Sequence, residues 1–254
     1  ETAPNFVTAT GGAITTSGNF KIHTFNSSGD FVVSHAGIPA GSTTVDYLVV
    51  AGGGGNGNAG SGGGAGGFRE SSGAASGCYT RSPLGSGVSA ITVSKQTYAV
   101  VIGAGGGAGA KGSNTVALGI TSSGGGNGGD RPGGGGSGGS GGGASDYSTS
   151  PGGTGNDPPT SPPQGNPGGS GSSGENGGGG GGALSAGGNA SGVPGTGATT
   201  QITGSAVLYA SGGAGDGASP APGPAQPRAN TGDGSSTAAV GSGPGIVVIR
   251  YQYQ

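Results

Sequence analysis

Two glycine clusters have the spacing of a dinucleotide site. Gly103-x-Gly105-x-x-Ala108 follows the apolar run Val100-Val101-Ile102, and Gly55-x-Gly57-x-x-Gly60 repeats the pattern. That chemistry needs a helix behind the glycines, because the helix N-terminus holds the pyrophosphate. Behind Ala108 comes Gly109-Ala110-Lys111-Gly112-Ser113, which has no amphipathic period, and Gly60 is no better followed. A P-loop also fails, since Lys111 is followed by glycine and not preceded by it. Both matches read as accidents of composition, and no cofactor is expected.

Other reactive side chains are sparse. His23 and His35 are the only histidines, and His23 falls on an alternating strand, where a solvated or sheet-packed role is expected. Cys78 is alone, so it cannot close an intrachain disulfide, and no Cys/His cluster is spaced for zinc. The aspartates at 30, 46, 130, 146, 157, 216 and 233 are scattered, and no Gly-x-Ser-x-Gly elbow links a strand to a helix. Neither a metal site nor an enzyme is expected.

The elements that could position such groups are set by composition. Glycine supplies 72 of 254 residues, about 28%, and charged residues only 7%. There is no Met or Trp, so a large side-chain core cannot be assembled. Each ordered backbone residue costs roughly 1–2 kcal/mol, and glycine loses the most freedom. Something other than side-chain burial must therefore hold the glycine tracts. Collagen is excluded, because runs such as Gly133-Gly134-Gly135-Gly136 break any triplet and only 16 residues are proline. A net charge of −2 without a basic stripe gives no expectation of nucleic-acid binding. No stretch approaches the apolar length of a membrane helix, so no membrane insertion is expected.

Strand signals lie at both ends: Phe20–Phe25, Asp30–Ser34, Val45–Val50 and Ile246–Tyr251, with Val247, Ile249, Tyr251 and Tyr253 on one face. Between them a pattern recurs in which a short apolar strand runs into glycine: DYLVVAGGGG (46–55), YAVVIGAGGG (98–107), VLYASGGAG (207–215) and, more loosely, NTVALGITSSGGG (114–126). An extended chain that stays ordered as polyglycine adopts the left-handed threefold helix, whose amides and carbonyls point sideways. Neighbouring threads can bond to one another, and glycine is required because a Cβ would hold the backbones apart. The expected fold is all-β with essentially no α-helix. A small β-sandwich base comes from residues 1–51 and 245–254, with strands near 89–102 and 200–210, and residues 52–244 form a polyglycine II bundle, all one continuous unit. The tracts 177–182 and 133–143 are expected inside the bundle.

Such a body keeps its chemistry in its loops. Residues 76–84, 144–167 and 215–232 carry exposed candidates for recognition: Tyr79, Arg81, Asp146, Tyr147, Asp157 and Arg228. Tyr and Arg among Ser and Gly can both stack and hydrogen-bond. The first residues, Glu-Thr-Ala-Pro-Asn-Phe-Val, offer Pro4, Phe6 and Val7 as an assembly arm that could add a strand to a neighbouring copy. Because Glu1 is not an initiator Met, the chain is expected either to begin at a processing site or to be the ordered part of something longer, and both readings point to export or assembly.

The stretches GGAITTSGNFKIHTFNSSGDFVVS, VDYLVVAGGGGNGNAGSGGGAGGFRE, TYAVVIGAGG, QITGSAVLYASGG and GSGPGIVVIRY, in this order, resemble the glycine-rich domain of phage tail-fibre and related exported bacterial proteins. The resemblance runs from about Ala9 to Tyr251. It implies an architecture similar to the fibre-tip adhesins of T-even phages, where a polyglycine-helix sandwich carries receptor-binding loops. The expected function is an extracellular, non-enzymatic adhesive fibre protein whose partner is a cell-surface receptor, protein or glycan. The alternative is a secreted subunit that polymerises with copies of itself into a filament by strand exchange. A lesser alternative is ice binding, although Thr8, Thr10, Thr15 and Thr16 are clustered without a period.

Overall fold

The computed structural model describes residues 5–77, 79–147, 149–174, 176–216, 227–236 and 241–254. Pro4 and Cys78 lie outside them. The chain opens with β1 (Val7–Thr10), β2 (Ala13–Ser17), β3 (Phe20–Phe25), β4 (Gly29–Ala36), β5 (Thr44–Val50) and β6 (Phe68–Glu70). A 3-10 turn, Pro83–Gly85, precedes β7 (Ile91–Thr92) and β8 (Thr97–Val100). Two hairpins follow, β9 (Thr115–Ala117) with β10 (Ile120–Ser122) and β11 (Ala198–Thr200) with β12 (Val207–Tyr209), and β13 (Ile246–Gln252) closes the chain. The fold is all-β, and the described residues contain no α-helix.

The larger sheet runs β2-β3-β13-β5-β6, with β7 also paired to β5, and the smaller runs β1-β4-β8. The C-terminal strand is therefore central. Its continuous apolar run is buried on both faces, which is what a strand without polar alternation demands. Val247, Ile249 and Tyr251 pack with Phe25, Phe31, Val33, Tyr47 and Val49 against the smaller sheet, and Tyr253 flanks this cluster. Ile246 and Val248 face the other way, onto Ile22, Leu48, Phe68, Tyr79, Ile202 and Tyr209. Each such large apolar side chain contributes roughly 1.5–3 kcal/mol on burial, so these two clusters are the main side-chain source of stability.

Beyond the sheets the glycine tracts form threads held by backbone bonds. Successive amides of residues 62–67 donate to Gly178, Ser235, Gly126, Gly181, Gly232 and Ser123 in turn. Amide i and amide i+3 thus return to the same neighbour, which is the signature of a threefold helix. The carbonyls of the same thread accept from Gly143, Gly213, Gly54, Ser140 and Ala51. Six threads therefore surround this one: 178–181, 232–235, 123–126, 140–143, 213–216 and 51–54. Residues 177–183 are enclosed in the same manner, as expected. The tract 133–143 is not one inner thread. It folds back at 137–140, leaving 133–137 at the surface and 139–143 inside.

A methyl group has no place in these threads. A Cβ on Gly63 would fall on the Gly54 carbonyl oxygen, and one on Gly180 on that of Gly63. Each backbone bond is worth a net ~1 kcal/mol, about the cost of ordering the residue that makes it. The threads alone are near balance, and the sheets that tie their ends decide the outcome.

Candidate functional site

Threads leave the sheets after β5, β10 and β12 and return at β6, β11 and β13. The bundle therefore has a sheet end and a far end. Hydrogen-bond registers place the turns at 57–61, 107–110 and 130–133, the described residues 145–147, 149–150, 170–174 and 176, and the turn at 189–192 at the far end. The turns at 137–140, 156–164 and 184–186 lie on the sheet side.

Two expected recognition residues, Asp146 and Tyr147, meet at the far end beside Arg131, which was not among the expected ones. The Arg131 guanidinium donates to Asp146 Oδ2 at 3.1 Å from Nη2 and to Oδ1 at 3.4 Å from Nε. The same guanidinium lies 3.9 Å from the Tyr147 ring centroid, a cation–π stack. Tyr147 is 56% exposed. The turns themselves are knitted by backbone bonds: the Asp146 amide donates to Ala59 O at 3.1 Å, and the Gly174 amide to Asp146 O at 2.9 Å. Asp130 Oδ1 accepts the Asn58 amide at 2.9 Å, and the Asp216 amide bonds Gly60 O at 2.8 Å. The result is a fixed platform with an aromatic face, a fork of donors and carboxylates at its rim. It has the groups to stack on and hydrogen-bond a ligand.

The other candidates go elsewhere. Tyr79 is not exposed: it belongs to the second core cluster, its hydroxyl donates to Ser71 O at 3.4 Å, and burial pushes its pKa up. Arg81 is exposed but lies near the 3-10 turn, within 3.4 Å of Ser86 Oγ. Asp157 is exposed on the sheet side, lining a shallow groove of about 180 Å³ with Lys111, Asn114 and Ser137. Arg228 is a structural clamp, forking onto the fully buried Asp233 at 2.8 and 2.9 Å. The expected assembly arm is not free where it is described. Val7 is buried in β1 and paired with Ala36 of the same molecule, and Phe6 is half-buried beside it.

Buried polar clusters not anticipated from sequence serve the sheets. Asp46, fully buried, accepts from Ser71 Oγ at 2.7 Å, Ser76 Oγ at 2.6 Å and the Gly73 amide at 3.0 Å. Glu70 accepts from the Ser82 amide at 2.9 Å, the Ser82 hydroxyl and the Thr200 hydroxyl. Burial raises its pKa, and these donors oppose the shift. Among the described residues no three His, Cys, Asp or Glu side chains are grouped to hold a metal ion. Gly103–Ala108 is an ordinary thread, with the Gly103 amide on Thr115 Oγ1 and the Gly106 amide on Gly53 O, both at 2.9 Å.

Sheets tied to backbone-bonded glycine threads define a glycine-rich structural domain. A family model described as a glycine-rich domain matches residues 26–252, and the chain belongs to that family. No curated protein and no solved structure matches it.

Proposed function

We propose that the chain is a non-enzymatic extracellular adhesive protein of the tail-fibre type, in which the polyglycine bundle presents recognition loops to a cell-surface receptor, protein or glycan. The observation that supports this reading is the Arg131–Asp146–Tyr147 cluster at the end of the bundle away from the sheets. A body whose interior is backbone has its side-chain chemistry at thread ends, and this end holds an exposed aromatic ring stacked on a cation. Aromatic rings and guanidinium groups with little freedom to lose are the usual anchors of recognition surfaces.

The test is binding of purified protein to cells and to arrayed glycans. Tyr147→Ala and Arg131→Ala should each weaken binding about tenfold or more, a loss of roughly 1.4 kcal/mol, while Asp157→Ala on the sheet side leaves it unchanged. Equal binding by all three variants, or no binding by the parent, removes this reading.

A further inference from the structure

Apart from the two-residue β7, the two larger sheets have edges at β1, β2, β6 and β8, and three of these are managed. At β6 the Phe68 amide is taken by Gln164 O of an overlying loop at 2.8 Å. At β8 the continuation is bridged, Val101 and Val116 exchanging both backbone bonds at 2.9 Å. At β1 the register against β4 shifts between Thr8 and Ala9, where Ser34 of β4 is left over. Coverage, bridging and bulging are the ordinary means of blunting an edge.

β2 has none of these. It pairs with β3 along all five residues without a register shift. Among the described residues nothing bonds its outer side. Its sequence, Ala-Ile-Thr-Thr-Ser, has no charge and no proline, four of its residues are exposed, and Ile14 is 46% exposed. An exposed row of outward amides and carbonyls, solvated in the single chain, is a ready template for pairing with another strand.

We propose that this edge is a homotypic interface: β2 of a second copy pairs antiparallel with it across a twofold axis, joining two larger sheets into one. An antiparallel pair about Thr15 is self-complementary by symmetry. It sets Thr15 against Thr15, Ile14 against Thr16 and Ala13 against Ser17, all uncharged pairs of which the β-branched ones favour a sheet. Charge does not oppose it, since the chain carries only −2 and the nearest charge on β3, Lys21, stands opposite Thr16 one strand back. The inference is independent of the far-end platform.

The test is sedimentation of the whole chain from micromolar to submillimolar concentration, with Thr15→Lys and Ile14→Lys beside the parent. The parent should dimerise reversibly, and each lysine should lower the association constant about tenfold or more, with circular dichroism unchanged. In a Cys78→Ser background, Thr15→Cys should oxidise to a covalent dimer, because facing strand residues lie within disulfide reach, whereas Ser27→Cys should not. The cysteine pair decides the matter if a lysine variant fails to fold. A parent that stays monomeric throughout, a dimer indifferent to both lysines, or equal cross-linking at 15 and 27 overturns the proposal.

Discussion

Gly180 and Gly63 stand in adjacent threads so that a Cβ on the first would lie only 1.9 Å from the carbonyl oxygen of the second. Gly179 faces the Val193 carbonyl in the same way. Neither obstacle is a flexible side chain, so the threads themselves must separate. Gly180→Ala should cost about 3 kcal/mol or more, the upper range for overpacking, and Gly179→Val should block folding. Gly107 is the control. Nothing lies within 4 Å of the place a methyl group would take on it, so Gly107→Ala should be neutral or add up to roughly 1 kcal/mol by restricting the unfolded chain. Urea denaturation of the three variants checks the ordering.

Arg228 and Arg131 make the same fork onto an aspartate with different consequences. Asp233 is fully buried, whereas Arg131 is 51% exposed at its side chain. Arg228→Ala strands a buried carboxylate and should cost about 2–3 kcal/mol, below the full value for buried pairs because Arg228 is itself one-third exposed. Arg131→Ala should cost no more than ~1 kcal/mol. Thermal melts of the two variants give the comparison.

His23 makes stability fall in acid. It is fully buried, its Nδ1 donates to Gly11 O at 2.7 Å, and its Nε2 accepts the Tyr251 hydroxyl at 3.0 Å. Desolvation, the largest cause, lowers its pKa below 6.5; the Gly11 carbonyl opposes this and Lys21 adds to it. The unfolded chain therefore takes up the proton first. Stability is full above 6.5, falls as pH drops below it, and levels off beneath the folded value. Glu70, whose pKa is raised, acts with the opposite sign and gains stability as pH falls. The difference between parent and His23→Gln isolates the histidine. Between about pH 8 and pH 5, a span bracketing the histidine range, the parent should lose more urea stability than the variant. Coincident profiles would show that His23 does not titrate in that window.

Phe31 tests whether the sheets carry the bundle. Its ring is fully buried, edge-on to His23 at 5.1 Å between centroids and 6.3 Å from Tyr251. Phe31→Ala should cost roughly 3–5 kcal/mol. Because the threads are near balance alone, exchange of glycine amides in the bundle should accelerate by the same free energy as loss of tyrosine near-ultraviolet signal. Separate transitions would mean that the bundle stands without its base.

Local signals carried most of the fold. The β-branched runs at Val45–Val50 and Ile246–Tyr251 announced their strands, and glycine content announced the threads. β1 and β2 were not legible because Ala and Thr dominate them, and the partners of β1, Val33 among others, are distant in sequence. Tyr79 looks like a loop residue among Ser, Thr and Pro; only packing with Ile202 and Tyr209 buries it. Loop composition flagged Asp146 and Tyr147. Arg131 escaped because it reaches them from another turn, 15 residues before Asp146.

Amide hydrogen exchange of residues 62–67 tests the packed threads most directly. With bonds to six surrounding threads, these amides should be protected as strongly as those of the central strand Ile246–Gln252, exchanging only by global unfolding. Exchange at the rate of an unstructured chain, while that strand remains protected, would contradict the bundle.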